Sequence, residues 1–314
     1  MKIFFTALLM WASAAAAFPS KPVKIIVAFP PGGGTDIVAR VVGARLGEVW
    51  GQPVVVENRA GASGTIGTEI AARAEADGHT LFMATMGNMT ANQHLYPKMG
   101  VDPLRAFAPV TKVVDVHFGL YANPGLPVGN VQELIALAKK RPGEIPYSSS
   151  GPGGAPHLAM ELFKRQADVD LAHIPYKGSG PGMNDLLGGR VMLTMDSLLQ
   201  ALPHIKAGRL KALAVLGPQR SALLPEVPTV GETLPGYALT NWFGLLVPAA
   251  VSRDIVSKLN ADVTKVLREG DIRKRIEDLG ADVVGNTPEE FGAAMRAESA
   301  QWAEIIKAAN IKAE

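Results

Sequence analysis

The feature that most constrains the fold of this chain is a regular alternation of short apolar segments with amphipathic ones. Residues 23–29 (VKIIVAF) form a β-branched run that predicts a strand buried on both faces. Apolar residues between 37 and 49 then recur at helical spacing, and residues 54–56, 65–76 and 80–85 continue as strand, helix and strand. This order predicts a parallel sheet with right-handed crossovers.

The same alternation starts again near residue 118. Further strands are predicted at residues 118–122, 145–149, 171–174, 191–195, 210–216 and 241–247. Further helices are predicted at residues 131–140, 156–166, 252–269, 271–279 and 288–309. We therefore expect two similar α/β domains, the first made of residues 18–116 and 241–314 and the second of residues 117–240.

Residues 1–17 have the pattern of a secretory signal peptide. Lys2 precedes an apolar run at residues 3–11, which is too short to span a bilayer, and residues 15–17 (AAA) form a small-residue cleavage site. We expect export to the periplasm and a mature chain that begins near Phe18. The sequence contains no cysteine, which excludes disulfides and a lipid on an N-terminal cysteine, so we expect a soluble monomer.

The segment AFPPGGGTD, residues 28–36, lies between the first predicted strand and the first predicted helix. It is not a nucleotide motif, because no lysine follows the three glycines and Ile37 stands where a dinucleotide fingerprint needs glycine. Glycines leave backbone N–H groups accessible, and these groups together with the helix dipole favour an anion. Thr35 or Asp36 is the expected N-cap. A tight turn without a ligand explains this segment, taken alone, equally well.

A second small-residue turn favours the anion site. Residues 147–157 (YSSSGPGGAPH) again run from a strand through a turn into a helix, with Pro156 as the expected first helical residue. Both helix starts are expected at the carboxyl ends of their strands, where open parallel sheets bind ligands. Four or five hydrogen bonds to a charged group, at about 1.5–3 kcal/mol each, could supply the roughly 8 kcal/mol of micromolar binding without a lysine or arginine.

The sequence carries no familiar catalytic motif, since Gly-x-Ser-x-Gly, Ser-x-x-Lys and His-Glu-x-x-His are absent. A formal net charge of +2 excludes the strongly basic class of nucleic-acid binders. The six histidines are scattered singly, at positions 79, 94, 117, 157, 173 and 204. We therefore expect no catalytic residue, no metal and no cofactor. Asp196, at the end of a predicted strand, is interpreted either as a cap of the following helix or as a carboxylate in the cleft.

Several longer stretches of the chain are similar to those of one receptor family. They include "FPSKPVKIIVAFPPGGGTDIVAR", "GQPVVVENRAGASGTIG", "HIPYKGSGPGMNDLLGGRV" and "NWFGLLVPA". Over essentially its whole mature length the chain resembles the substrate-binding receptors of tripartite tricarboxylate transporters, the Bug family. The resemblance implies a type II-like periplasmic binding fold, with two parallel or mixed sheets and a hinged ligand cleft. It also implies that residues 29–36 grip a ligand carboxylate, partly through ordered waters.

The resemblance further implies a receptor that passes a small carboxylate to membrane transporter subunits, rather than an enzyme. Family ligands include citrate, other di- and tricarboxylates, acidic amino acids and aromatic carboxylates. Gly34, Gln93, Thr194 and Met195 depart from the usual family pattern. The predicted ligand-binding residues are Phe29, Pro30, Gly32, Gly33, Gly34, Thr35, Asp36, Met86, Asn88, Ser149, Ser150, Gly154 and Asp196. An exported hydrolase and a sensory binding protein on the same scaffold stay open as alternatives.

Overall fold

The computed structural model describes residues 18–96, 99–309 and 311–312, and the predicted signal peptide at residues 1–17 lies outside this part of the chain. The strands are β1 (Val23–Val27), β2 (Val54–Asn58), β3 (Thr80–Thr85), β4 (Phe107–Val116), β5 (Phe118–Ala122), β6 (Pro146–Ser149), β7 (Ala172–Pro175), β8 (Leu193–Ser197), β9 (Lys211–Val215), β10 (Asn241–Pro248) and β11 (Ala281–Val283). The helices are α1 (Gly34–Trp50), α2 (Thr65–Ala72), α3 (Asn92–Leu95), α4 (Pro103–Ala106), α5 (Val131–Lys140), α6 (Ala155–Ala167), α7 (Ser179–Leu187), α8 (Leu198–Lys206), α9 (Arg253–Arg268), α10 (Gly270–Asp278) and α11 (Pro288–Ala309).

Two mixed sheets organise these elements. The first sheet has the strand order β11-β4-β10-β3-β1-β2, and the second has the order β7-β6-β8-β5-β9. In the first sheet β1 is parallel to β2 and β3, whereas β10 lies antiparallel between β3 and β4. In the second sheet β6 is parallel to β7 and β8, whereas β5 is antiparallel to β8 and β9. We call each sheet, together with the helices packed on it, a lobe.

The chain passes between the two sheets at two places. His117 alone separates β4 of the first sheet from β5 of the second, and residues 216–240 lead from β9 back to β10. The backbone carbonyl of His117 accepts a hydrogen bond from the N–H of Leu198 at 2.8 Å, and its own N–H donates to the Gly280 carbonyl at 3.3 Å. The first crossing is therefore tied to elements of both lobes.

The central strands of the two sheets are buried along their whole length. β10 (NWFGLLVP) and β8 (LTMDS) are buried at every position, because each lies between two other strands. α9 shows the complementary amphipathic pattern: Leu259, Val263 and Val266 are buried, and the helix packs on β4 and α1. Across the described residues, no helix is both long enough and apolar enough to cross a membrane.

Most of the predicted elements match the observed ones, and the exceptions have physical causes. The predictions at residues 80–85 and 131–140 coincide with β3 and α5. The sequence pattern missed β4, because Pro109, Lys112 and Asp115 interrupt its apolar run. Pro109 lies at a register shift in the pairing with β10, and Lys112 forms an ion pair with Asp115 at 2.8 Å. It also missed α7 and α8, because glycine or proline interrupts their helical patterns.

Candidate ligand site

A cavity of about 40 Å³ lies between the two lobes, at the ends of β1, β3, β6 and β8. The first lobe lines it with Phe29, Gly33, Gly34, Thr35, Thr85, Asn241 and Phe243. The second lobe lines it with Phe118, Ser150, Ala155, Pro156, Ser179, Asp196 and Ser197. None of these described lining residues is a lysine, an arginine or a histidine. An anion in this cavity must therefore be held by dipoles and hydrogen bonds.

The two lobes touch each other directly. The Tyr96 hydroxyl of the first lobe donates a hydrogen bond to the Pro152 carbonyl of the second lobe, at 2.6 Å. Pro30 packs against Gly178 so closely that a Cβ at Gly178 would lie 2.4 Å from the Pro30 Cδ. These contacts place the lobes in a closed arrangement around the cavity.

The first small-residue turn brings the start of α1 to the cavity. Gly33 occupies the N-cap position and α1 begins at Gly34, so the prediction that Thr35 or Asp36 caps this helix is wrong. Both residues lie inside the first helical turn. Within the described chain no side chain caps α1, so its first N–H groups are left for a partner in the cavity that Gly33, Gly34 and Thr35 line.

Asp36 holds this turn together without lining the cavity. Its carboxylate accepts hydrogen bonds from the backbone N–H of Gly32 at 3.0 Å, from Arg40 at 2.8 and 2.9 Å and from Asn58 Nδ2 at 2.9 Å. Burial opposes ionisation of Asp36, but these hydrogen bonds outweigh burial and lower the pKa of its carboxyl. Asn58 Nδ2 also donates to the Phe29 carbonyl, at 2.9 Å. The predicted ligand residues Gly32 and Asp36 thus shape the turn.

The second small-residue turn brings the start of α6 to the same cavity. Gly154 occupies the N-cap position and α6 begins at Ala155, one residue before the predicted start at Pro156. Ser150, Ala155 and Pro156 line the cavity, whereas the neighbouring Ser149 does not. No side chain of the described residues caps this helix either.

Ser149, His157 and His173 stabilise the second turn through hydrogen bonds and ring stacking. Ser149 Oγ accepts a hydrogen bond from Gly151 N at 3.1 Å and forms another with His173 Nε2 at 2.7 Å. His157 Nδ1 accepts one from Gly153 N at 3.1 Å, and the His157 and His173 rings stack with their centroids 4.5 Å apart. Burial, with the neighbouring His173, lowers the pKa of His157 to about 4. These two histidines are isolated in the sequence but adjacent in the structure, and no group of three or more potential metal ligands occurs among the described residues.

Two further helices begin at the cavity. Gly178 is the N-cap of α7 and Ser197 is the N-cap of α8, and Ser179 and Ser197 line the cavity. As for α1 and α6, no side chain in the described chain caps either helix. The four helices are 17, 13, 9 and 9 residues long. Because each N-terminus carries about +0.5 of a charge, four positive ends face a cavity that no described cationic side chain lines.

Two polar atoms on the cavity wall have no hydrogen-bond partner among the described residues. They are Ser197 Oγ and Asn241 Oδ1, and each residue is only 2% exposed. Buried polar side chains are nearly always hydrogen-bonded, so unpaired ones on a cavity wall indicate a ligand-binding surface. Phe118 and Phe243 add apolar area to the same wall. The cavity therefore suits a small ligand with both charged and apolar parts.

Asp196 brings a carboxyl group into this otherwise uncharged wall. It lies in β8 opposite Gly119 of β5 and is 4% exposed. Its Oδ1 accepts a hydrogen bond from the Ser197 N–H at 2.7 Å. Burial raises the pKa of the Asp196 carboxyl to about 6, although the adjacent polar groups of Ser179, Ser197 and Gln200 favour its charged form. Ser197 holds the N-cap position of α8, so Asp196 belongs to the cavity wall.

The structure brings together about half of the predicted ligand-binding residues. Phe29, Gly33, Gly34, Thr35, Ser150 and Asp196 line the cavity. The others surround it: Pro30 contacts the second lobe, Gly32 and Asp36 shape the first turn, Ser149 and Gly154 shape the second, and Met86 and Asn88 are fully buried. Asn88 Oδ1 accepts the N–H of Thr85, a lining residue, at 2.9 Å.

Other lining residues were missed by the sequence analysis. A usable signal existed for Ser179, because Gly178-Ser179-Gly180 repeats the small-residue pattern of the other two turns. Phe118, Asn241 and Phe243 gave no local signal, since strand pairing between distant segments brings them to the cavity.

Comparison with known proteins identifies the family. The sequence model of one protein family, the tripartite tricarboxylate transporter family receptor, matches residues 38–311 of this chain. The chain belongs to this family. The periplasmic binding protein BugD is 36% identical in sequence, and its structure superposes with a TM-score of 0.91 over 94% of this chain and 99% of that protein.

Two further structures of this receptor's relatives contain a ligand. Rpa4515 of R. palustris with adipate is 37% identical, with a TM-score of 0.91 over 94% of this chain and 99% of that one. MatC (Rpa3494) from Rhodopseudomonas palustris, with bound malate, is 32% identical, with a TM-score of 0.88 over 92% and 100% of the two chains. The predicted family and the periplasmic binding fold with two mixed sheets are thus confirmed. The chain is a solute-binding receptor, and its family implies a periplasmic location.

Proposed function

We propose that this receptor captures a small carboxylate between its two lobes and delivers it to the membrane subunits of a transporter. It acts as a periplasmic monomer after removal of residues 1–17, and its domains consist of residues 18–116 with 241–314 and of residues 117–240. Binding involves no chemical conversion of the ligand. Mass spectrometry of the exported protein tests the N-terminus, where a retained residue 1 would contradict the proposed cleavage.

The observation that carries this proposal is the meeting of uncapped helix N-termini on one cavity. The starts of α1 and α6 come from different lobes, so a ligand carboxylate between them receives N–H donors from both sides. Charge-assisted hydrogen bonds contribute about 1.5–3 kcal/mol each. Donors on both lobes also make the closed arrangement more favourable when the anion is present, which links binding to closure.

The ligands of two relatives agree with this chemistry. Adipate and malate, the molecules in the structures of Rpa4515 and MatC, are both small carboxylates. To a ligand of this class the cavity offers backbone N–H groups, the hydroxyl-bearing side chains of Thr35 and Ser150, and the apolar rings of Phe118 and Phe243. A carboxylate with a short carbon chain uses both kinds of surface.

The alternative of a hydrolase rests on one observation, the 2.7 Å hydrogen bond between Ser149 Oγ and His173 Nε2. A nucleophilic serine must reach a substrate, but Ser149 is 2% exposed and does not line the cavity. Its hydroxyl also accepts the Gly151 N–H, which ties it to the turn. These contacts favour a structural role for this pair. A sensory receptor would use the same cavity and differ only in its membrane partner.

Calorimetry after a thermal-shift screen of mono-, di- and tricarboxylates tests the proposal. We expect at least one carboxylate to bind with micromolar affinity and to leave the protein unaltered. Ser150→Asp should abolish that binding, because it adds a negative charge beside the start of α6. Ser252→Asp, at the N-cap of α9, is the matched control and should leave affinity unchanged. Absence of binding by every carboxylate, or equal binding to both variants, would contradict the proposal.

Delivery to a transporter needs a separate experiment. Cells that lack this receptor should lose uptake of the labelled carboxylate and regain it when the receptor is restored. Normal uptake without the receptor, combined with a lost transcriptional response to the carboxylate, would favour the sensory alternative.

A further inference from the structure

The capture of a carboxylate by helix N-termini does not explain the one charged side chain among the described lining residues. The Asp196 carboxyl is on the cavity wall, 4% exposed, and none of the described lining residues carries a positive charge that could neutralise it. A buried carboxylate is normally paired or strongly hydrogen-bonded. A negative side chain inside a site for anions therefore requires an explanation of its own.

The groups packed against Asp196 are polar but uncharged. Ser179 of α7, and Ser197 and Gln200 at the start of α8, contribute hydrogen-bonding groups close to its carboxylate. Tyr121 of β5 is the titratable residue that interacts electrostatically with Asp196, and burial together with the Asp196 charge raises the pKa of its phenol well above the usual value. Tyr121 therefore stays neutral at physiological pH. None of these described side chains carries a positive charge that could pair with Asp196.

The helix dipoles indicate how many negative charges the cavity accommodates. Two helix N-termini amount to about one positive charge. The starts of α7 and α8 lie next to Asp196, whose Oδ1 accepts the Ser197 N–H at 2.7 Å, so Asp196 offsets their charge. The starts of α1 and α6 remain for the ligand, and their combined charge of about +1 balances one ligand carboxylate. A second ligand carboxylate would meet Asp196 without compensation.

We propose that Asp196 selects the far end of the ligand, so that carboxylates with a hydroxyl or ammonium group there bind more tightly than dicarboxylates of the same length. An ionised aspartate only accepts hydrogen bonds, and a hydroxyl or ammonium group donates them. This inference rests on the proposed function, since the near carboxylate is held by the starts of α1 and α6. Burial raises the pKa of Asp196 to about 6, which leaves it ionised at pH 8 and mostly protonated at pH 5.

Matched ligand pairs test the inference by calorimetry at pH 8. The pairs are 4-hydroxybutanoate with succinate and 6-hydroxyhexanoate with adipate, and 6-aminohexanoate serves as the ammonium probe. We expect the hydroxy acid, and the amino acid, to bind at least tenfold more tightly than the dicarboxylate. Asp196→Asn should remove or reverse this preference, because its amide can donate to a carboxylate. The preference of the wild type should also shrink at pH 5.

Two controls separate this inference from the proposed function. Ser150→Ala should weaken both members of a pair by the same factor, since Ser150 lies at the start of α6. A dicarboxylate that binds the wild type as tightly as its hydroxy acid at pH 8, or a preference that Asp196→Asn leaves intact, would overturn the role of Asp196. If Asp196→Asn does not fold, Asp196→Ser measured with the same ligand pairs at pH 8 decides the question, and an intact preference in that variant would likewise overturn the role of Asp196. Failure of all carboxylates to bind would instead refute the proposed function.

Discussion

The Asp36 carboxylate accepts a hydrogen bond from the backbone N–H of Gly32 at 3.0 Å, although Asp36 lies inside α1 and Gly32 precedes that helix. Gly32 has a φ of +87°, in the left-handed region that favours glycine. The side chain therefore reaches back over the helix start and fixes the turn whose next residues line the cavity. The Asp36–Arg40 ion pair ties this turn to the second turn of the helix.

Removal of this carboxylate should affect both stability and binding. Asp36→Ala should lower the free energy of unfolding by about 1–3 kcal/mol, because the Gly32 N–H and the Asn58 amide lose a buried acceptor. Ligand affinity should fall as well, although Asp36 does not line the cavity. Urea unfolding and calorimetry measure the two effects. Glu48→Ala in the same helix, where the side chain is 67% exposed, is the control and should change unfolding by less than about 0.5 kcal/mol.

A side chain at position 154 should weaken ligand binding, because it would collide with Ser150. A Cβ at Gly154 would lie 2.2 Å from Ser150 Oγ, whereas the φ of −65° at Gly154 suits any residue. Gly154→Ala should therefore displace the Ser150 hydroxyl and weaken ligand binding by about 1–3 kcal/mol. In a Ser150→Ala background the same change should cost clearly less, because the closest contact is gone and the Gly151 carbonyl, 3.2 Å from the added Cβ, is the tightest one left. Additive losses in this double-mutant cycle would contradict the explanation. Gly154→Phe should block both closure and binding.

The adjacent serines should behave differently. Ser150→Ala should weaken the binding of the carboxylate by about 1–3 kcal/mol and leave the melting temperature nearly unchanged, because Ser150 lines the cavity. Ser149→Ala should mainly lower the melting temperature, since Ser149 Oγ bonds to His173 and Gly151. Thermal unfolding and calorimetry on both variants check this. The reverse pattern would place Ser149, and not Ser150, in contact with the ligand.

The second turn should make stability depend on pH. The pKa of His157 is lowered to about 4 in the folded protein, while the ordinary value is 6.5, so the unfolded chain binds more protons between these values. The contribution of His157 is complete above pH 6.5 and is lost as the pH falls towards 4, by about 3 kcal/mol at most. His157→Asn keeps an acceptor near Gly153 N but cannot be protonated. The difference in unfolding free energy between wild type and variant should therefore change with pH within this window; a constant difference would be the contrary result.

The sequence predicted the two helix starts because their signals are local. In residues 28–36 and again in residues 147–157, a run of small residues directly follows an apolar strand and directly precedes a helix. Each of these two turns contributes residues to the cavity wall. The caps were harder to predict: Thr35 and Asp36 have the chemistry of caps, but Gly33 occupies that position. The Asp36 carboxylate instead accepts hydrogen bonds from Gly32, Arg40 and Asn58, none of which lies in the first turn of α1. Helix-propensity scales do not record such contacts.

The remaining wall of the cavity depends on long-range pairing. Asn241 reaches it because β10 lies antiparallel between β3 and β4, and Asp196 because β8 pairs with β5 opposite Gly119, which has no side chain. Neither register follows from the periodicity of one segment. Burial of Asp196, and hence its raised pKa, is a property of the assembled lobes.

The most direct test of the anion site compares one carboxylate ligand with its methyl ester. The ester carries one additional methyl group and lacks the negative charge that the starts of α1 and α6 are proposed to hold, so the primary amide of the same acid, which is close in size to the carboxylate, is measured beside it and should bind as weakly. The ester is made at the carboxylate that the two helix starts are proposed to hold, on the ligand that binds most tightly in the screen. Calorimetry should show that this ester binds at least tenfold more weakly than the acid, which corresponds to about 1.4 kcal/mol. Equal affinities of acid and ester would contradict the account.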